Sequence, residues 1–204
     1  MKKNAFLIIF VGLMPFIAFS QRPSLKENFE KFSISTPQPK VEIPSTVLLK
    51  GNGVKLSVVA NPEKSGINRS NLVLQLDRPV NPNIGTGEGQ QRPGLYLGRG
   101  VSSDSYDLEM SDKQCVVEFK ILKKVAGQVG VRIASAANPK WIRILSKDLP
   151  ASDKWQLVRL DFSGKFEPNV IYSKLLLEMH STNTLEDQTS EISILIDDIK
   201  LTTK

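Results

Sequence analysis

The chain has 204 residues, with 27 basic against 21 acidic side chains, a single histidine and a single cysteine. That length suits one domain with a sizeable core, the lone Cys115 excludes an intramolecular disulfide framework, and the lone His180 cannot build a histidine-rich metal site. The net charge of +6 is dispersed; with no stripe alternating basic and aromatic residues, it argues against a nucleic-acid partner while leaving anionic partners such as an acidic glycan open.

At the N-terminus, Lys2-Lys3, the apolar run Ala5–Phe19 and the small residues Ala18 and Ser20 form the pattern of a secretory signal peptide, with cleavage expected before Gln21. Cleavage removes two lysines, lowers the net charge from +6 to +4, and predicts a secreted or periplasmic domain over 21–204. No cysteine follows the apolar run to carry a lipid. No later run approaches the ~20 apolar residues of a membrane helix, so no membrane span is expected after cleavage. Residues 21–45 carry Pro23, Pro37, Pro39 and Pro44 and read as a partly irregular lead-in. Within it, Asn28–Ile34 is the exception: Phe29 and Glu30 begin a first strand, and Phe32 and Ile34 continue an apolar period of two.

The stretch Leu56–Leu76, LSVVANPEKSGINRSNLVLQL, reads as strand, elaborate turn, strand. Asn61-Pro62 ends the first run because proline removes a donor and holds its predecessor extended, and Gly66 supplies a flexible turn position. Asn61, Asn68 and Ser70 are residues that bond the local backbone. Pro79–Gly94, rich in glycine and proline and without periodicity, is a long loop suited to a ligand rim. Its Gly85, Gly87 and Gly89 lack the Lys-Ser or Lys-Thr pair and the helix that a phosphate-binding loop requires.

Strand-like runs follow at Leu95–Leu97, Tyr106–Met110, Cys115–Leu122, Gln128–Ala134, Trp141–Leu145, Trp155–Phe162, Lys174–Met179 and Ile192–Leu201. A regular series of short strands with no helical periodicity predicts an all-β antiparallel sandwich or barrel. Cys115, opening CVVEF, reads as a buried small hydrophobe. Within Trp155–Phe162, Val158, Leu160 and Phe162 share a buried face, and Arg159 and Asp161 share a wet one as a solvated ion pair. In the last strand Ile192, Ile194 and Ile196 are even but Ile199 and Leu201 are odd, so the inward phase shifts at Asp197-Asp198 and a bulge or twist is expected. A carboxylate pointing inward there needs a cation or donors, since burying it alone costs several kcal/mol. Hard oxygen ligands of this kind suit calcium.

The segment VVANPEKSGINRSNLVLQL, followed by WQLVRLDFSG and ILIDDIKL, resembles secreted galactose-binding-like jelly-roll domains, among them many carbohydrate-binding modules of bacterial glycan-degrading systems. The resemblance spans roughly Asn28 to Leu201. It implies two packed antiparallel sheets in a jelly-roll sandwich, with a structural calcium held by Glu30 of NFEKF and Asp197 of IDDI. By the same resemblance Trp155 packs against the core. Sugar-binding modules stack aromatic faces on sugar rings, and this chain departs from them in carrying few such rings. Trp141, beside Arg143 at an alternate position of one strand, is the better platform, with core burial as its other reading. Tyr96 and Tyr106 flank the loop Arg99–Ser105 and are further candidates for contact with a sugar.

The resulting expectation is an exported, non-catalytic module that binds a polysaccharide or oligosaccharide. The alternative is a structural or protein-interaction sandwich that docks other surface proteins, since the jelly roll fixes no function by itself. A jelly-roll lyase or glycosidase is the third reading, disfavoured because no pair of carboxylates, nor Glu109, Glu118 or His180, sits in a catalytic constellation.

Overall fold

The computed structural model describes residues 25–31, 48–50, 55–80, 94–98, 110, 114–135, 141–179 and 190–203. Eleven strands lie among them, in chain order β1 (Leu25–Glu27), β2 (Leu48–Lys50), β3 (Lys55–Ala60), β4 (Leu72–Arg78), β5 (Gly94–Gly98), β6 (Cys115–Lys123), β7 (Gly130–Ser135), β8 (Trp141–Leu145), β9 (Gln156–Asp161), β10 (Tyr172–Glu178) and β11 (Ile192–Thr203). They form two sheets, one of order β3-β4-β11-β6-β9 with β1 also paired to β11, the other of order β2-β5-β10-β7-β8. All pairings among the described strands are antiparallel. The architecture is the expected all-β jelly-roll sandwich, and no helix among the described residues is long and apolar enough to cross a membrane.

Period-two alternation builds the core. Leu74 and Leu76 of β4, Val117, Phe119 and Ile121 of β6, Val131 and Ile133 of β7, Leu175 and Leu177 of β10, and Ile192, Ile194 and Ile196 of β11 turn to the space between the sheets. Each fully buried side chain of this size is worth about 1.5–3 kcal/mol relative to exposure. Cys115 is buried among them, and desolvation pushes its thiol up to about 12, which leaves a packing residue and no nucleophile.

A second, smaller core lies on the other side of the six-stranded sheet, where Val73, Leu122, Leu195 and Trp155 cluster. Trp155 is 6% exposed, in line with its expected structural role. Its indole Nε1 donates to Asn61 Oδ1 at 3.2 Å and to the Glu63 carbonyl at 2.8 Å. The β3–β4 turn is thereby pinned over the sheet by a residue some ninety positions downstream. Inside the turn, Asn61 Oδ1 accepts from Glu63 N, Asn61 Nδ2 donates to the Ser70 carbonyl, and Asn68 Oδ1 accepts from Ser70 N. Gly66 takes φ +74°. Asn61, Gly66 and Asn68 thus shape the turn as expected, while Ser70 joins it through its amide and carbonyl.

Two expectations need correction. The first described strand is Leu25–Glu27, paired with Leu201–Ile199, and residues 28–31, where the strand was expected to begin, form a turn. Phe29 adopts φ +57° and begins a turn that drives its ring into the core, so burial of one large side chain overrode strand periodicity; Phe32 and Ile34 lie outside the described residues. Strand β2 went unanticipated in the sequence. Arg159 faces Glu118 across the β6–β9 ladder at 3.7 Å, whereas Asp161 accepts from Ser163 N at 2.9 Å. The Ser163 hydroxyl and amide lower the Asp161 pKa, with Arg159 contributing less. The signal segment, the run Tyr106–Glu109, His180 and most of the Pro79–Gly94 loop also lie outside the described residues.

Glu63 makes the turn sensitive to acid. Its carboxylate accepts from the Ser65 hydroxyl and amide and from Lys154 Nζ, bonds that hold its pKa at about 2 against an ordinary 4.5. A depressed carboxyl pKa stabilises the fold above the unfolded value and loses that contribution as pH falls toward the folded one. Glu63→Gln should therefore lower the melting temperature at neutral pH, and the gap between variant and wild type should close between pH 4.5 and about 2. A gap independent of pH over that range would refute the assignment.

Candidate functional site

Two groups of side chains stand apart from ordinary packing. The first is on the outer face of the five-stranded sheet. Because Leu175 and Leu177 of β10 and Val131 and Ile133 of β7 point into the core, their neighbours Lys174, Leu176, Glu178, Arg132 and Ala134 point outward. On the adjoining edge strand, Ile142 and Ile144 pack against the core, which turns Trp141, Arg143 and Leu145 to the same outer face. Register then pairs Arg132 with Arg143, Ala134 with Trp141, and Lys174 with Ala134.

Glu178 is the hub of this face. It is 1% exposed and ion-paired to both arginines: Arg132 Nη2 lies 2.8 Å from Oε1, while Arg143 Nε and Nη2 each lie 2.9 Å from Oε2. A carboxylate can be buried here because two guanidiniums compensate its lost hydration. Gly130 completes the arrangement. A Cβ there would stand 2.7 Å from Glu178 Oε2 and 3.1 Å from Leu145 Cδ2, so only glycine lets the Glu178 side chain lie across β7. Beside this rigid cluster, Trp141 leaves 41% of its surface exposed, which settles its two readings in favour of an accessible ring.

The second group surrounds the bulge of β11. The register between β11 and β6 shifts between Asp197 and Lys200, and Asp198 adopts φ +48°. Asp198 pairs with Lys120, an outward residue of β6, and Asp197, alternating with the core residue Ile196, lies beside Asn68 and Ser70 of the β3–β4 turn. The bulge thus keeps both carboxylates on the outer side of the sheet while returning Ile199 and Leu201 to the core. Asp197 is fully buried, and neither of its oxygens has a hydrogen bond of normal geometry. Desolvation raises its pKa, against smaller opposing effects of the Ser70 hydroxyl, the Asp198 amide and Asn68.

Glu30 reaches the same turn from β1. One of its oxygens accepts from the backbone amides of Asn71 and Leu72. Glu30 and Asp197, expected as partners, thus flank one five-residue segment, Asn68–Leu72. Both are preceded or followed by a residue in the left-handed region, Phe29 and Asp198. A buried carboxylate without hydrogen bonds of normal geometry, touching the same turn segment as a second carboxylate, suits a hard cation. Among the described residues no third carboxylate, histidine or cysteine joins them, so backbone and side-chain carbonyls of the turn would have to complete a coordination shell.

Of the four residues singled out for ligand contact, the structure brings Trp141 and Arg143 together. Tyr96 sits opposite Leu176 in register, in the same row as Arg132 and Arg143, and Tyr106 lies outside the described residues. Arg132, Lys174, Glu178 and Gly130 were missed. Glu178 had a signal: a carboxylate inside the apolar run LLLEM needs a cation opposite it, and the arginine in VRIA was the available one.

No protein-family model and no curated protein matches the chain. Solved structures do. The CBM22-2 xylan-binding domain from Paenibacillus barcinonensis Xyn10C is similar over 89% of this chain and 99% of its own, at 14% identity and a TM-score of 0.54. The CBM22-1 xylan-binding domain of the same protein is similar over 89% and 94%, at 14% identity and TM-score 0.53. A Clostridium thermocellum xylanase fragment carrying CBM22-1 and GH10 modules, complexed with xylohexaose, is similar over 90% of this chain at 13% identity and TM-score 0.55, and the chain spans 29% of its length. At these identities the likeness is one of fold. The chain has the β-sandwich fold of carbohydrate-binding modules, as its motifs implied.

The outer face yields a direct check. Gly130→Ala should force Glu178 off its two arginines and destabilise the domain by about 1–3 kcal/mol, read as a lower denaturation midpoint; an unchanged midpoint would show that Glu178 is not held as described.

Proposed function

We propose that the chain is an exported, non-catalytic module that binds a poly- or oligosaccharide on the outer face of its five-stranded sheet. The observation that carries the reading is Trp141: one of the chain's two tryptophans is buried and hydrogen-bonded, while the other is 41% exposed beside a guanidinium locked onto a buried carboxylate. An open indole on the rim of the sheet offers an apolar π face to which the face of a pyranose is a fitting complement. Edge-strand placement keeps the ring at the rim of a rigid sheet, so binding requires little ordering. The fold shared with xylan-binding domains supports the same reading.

Glu178, the carboxylate nearest the ring along this face, is committed to Arg132 and Arg143 and is poorly suited to proton transfer, which favours binding over hydrolysis. Titration calorimetry against a panel of soluble glycans is the test. Trp141→Ala should weaken binding about tenfold or more, equivalent to at least ~1.4 kcal/mol, with an unchanged melting temperature. Undiminished affinity in the variant would remove Trp141 from the site.

The proposal includes a structural calcium ion bound through Asp197 with Glu30. Its support is the buried Asp197 carboxylate, whose oxygens lack hydrogen bonds of normal geometry and whose desolvation a cation would offset. The ion would tie the N-terminal turn, the β3–β4 turn and the central strand together. Calcium in excess over a chelated sample should raise the melting temperature, by the equivalent of about 2.7 kcal/mol at a hundredfold excess over the dissociation constant. Asp197→Asn should abolish that shift, and a wild-type midpoint indifferent to calcium would refute the site.

A further inference from the structure

We infer that the glycan taken by the outer face is an acidic one, bearing carboxylate or sulfate groups. This deepens, and rests on, the reading of that face as the sugar site. Among the residues whose side chains are described, the face carries three cations, Arg132, Arg143 and Lys174, against one carboxylate, Glu178. Both Glu178 oxygens are engaged by guanidiniums and the residue is 1% exposed, so it contributes almost nothing that an incoming molecule can touch. The arginine side chains remain 24% and 33% exposed, Lys174 is half-buried, and Trp141 lies open.

What a ligand meets there is a ring and a set of donors. Arginine and lysine donate and cannot accept. A neutral sugar hydroxyl is both donor and acceptor, and sugar sites ordinarily meet it with a carboxylate or amide as well as a cation. Where a hydroxyl is covered by these three side chains its proton lacks a partner, and a buried donor without one costs about 1–3 kcal/mol. Carboxylate and sulfate oxygens accept at every position, fit the planar guanidinium fork, and answer the local excess of positive charge.

Register sets the spacing. Lys174 pairs with Ala134, and Ala134 pairs with Trp141, so Lys174 and Trp141 stand two strand spacings apart along the row, about 10 Å, with Ala134 buried between them. A pyranose stacked on Trp141 and directed along this row would carry an exocyclic acid group toward Lys174.

The test is calorimetry on the full chain with polygalacturonate, a carrageenan and neutral xylan of similar length, each at low and at raised salt. The inference expects one or both acidic glycans to bind at least about tenfold tighter than xylan, with the advantage shrinking as salt rises. Which of the two binds distinguishes carboxylate from sulfate. Lys174→Ala should erase most of the preference, while Trp141→Ala should weaken both acidic and neutral binding. Xylan bound as tightly as the acidic glycans would overturn the inference and leave the sugar site standing. Binding of no glycan at all would overturn the site itself. Acidic affinity that survives both Trp141→Ala and Lys174→Ala would be the general attraction of a basic chain, and would overturn the inference as well.

Discussion

Strand β11 pairs with β1, β4 and β6 at once, and its twelve residues can serve all three only because it breaks phase in the middle. A strand of that length twists, and a strict period of two would carry one end's apolar residues out of the core. The bulge at Asp197-Asp198 inserts the extra residue that resets the pattern, from Ile192, Ile194 and Ile196 to Ile199 and Leu201. Its cost is a left-handed aspartate and a buried carboxylate. Its neighbours offset part of the cost: Lys120 neutralises Asp198, and the β3–β4 turn, itself held by Glu30, lies against Asp197.

The same turn carries the second core. Trp155 lies flat enough against Val73, Leu122 and Leu195 to be nearly buried, and its indole proton is the link between β9 and the turn. A tryptophan buried without a partner for its N–H would forfeit part of what its area gains. Asn61 therefore has two tasks, shaping its own turn through Glu63 N and receiving Trp155. One polar side chain thus couples local turn geometry to the packing of the whole sheet face.

On the opposite sheet the logic is reversed. There the outer face is left partly open, and its buried charge is organised for rigidity: a glutamate spans Gly130 because no Cβ obstructs it and is held by guanidiniums from β7 and β8. Fixed guanidiniums next to an exposed indole form a preorganised surface, one that gives up little side-chain entropy on binding. Trp155 and Trp141 contrast accordingly, one indole packed and hydrogen-bonded and the other left open.

Period-two alternation and turn residues determined, in the sequence alone, the all-β class, nearly every strand from β3 onward, the β3–β4 turn and the phase break of β11. These are local properties, written in which residue follows which. The turn at Phe29, the pairing of Arg159 with Glu118 and the short strand β2 were not legible, because each depends on what a segment meets across the sheet. The candidate site divides the same way. Trp141 and Arg143 could be read as neighbours on one strand face, whereas Arg132, Lys174 and Glu178 come from two other strands and join them only through register. Tertiary structure alone decided which tryptophan is open, and which carboxylates are buried and neutralised by arginine, since burial and the opposing charge are supplied by residues far away in the chain.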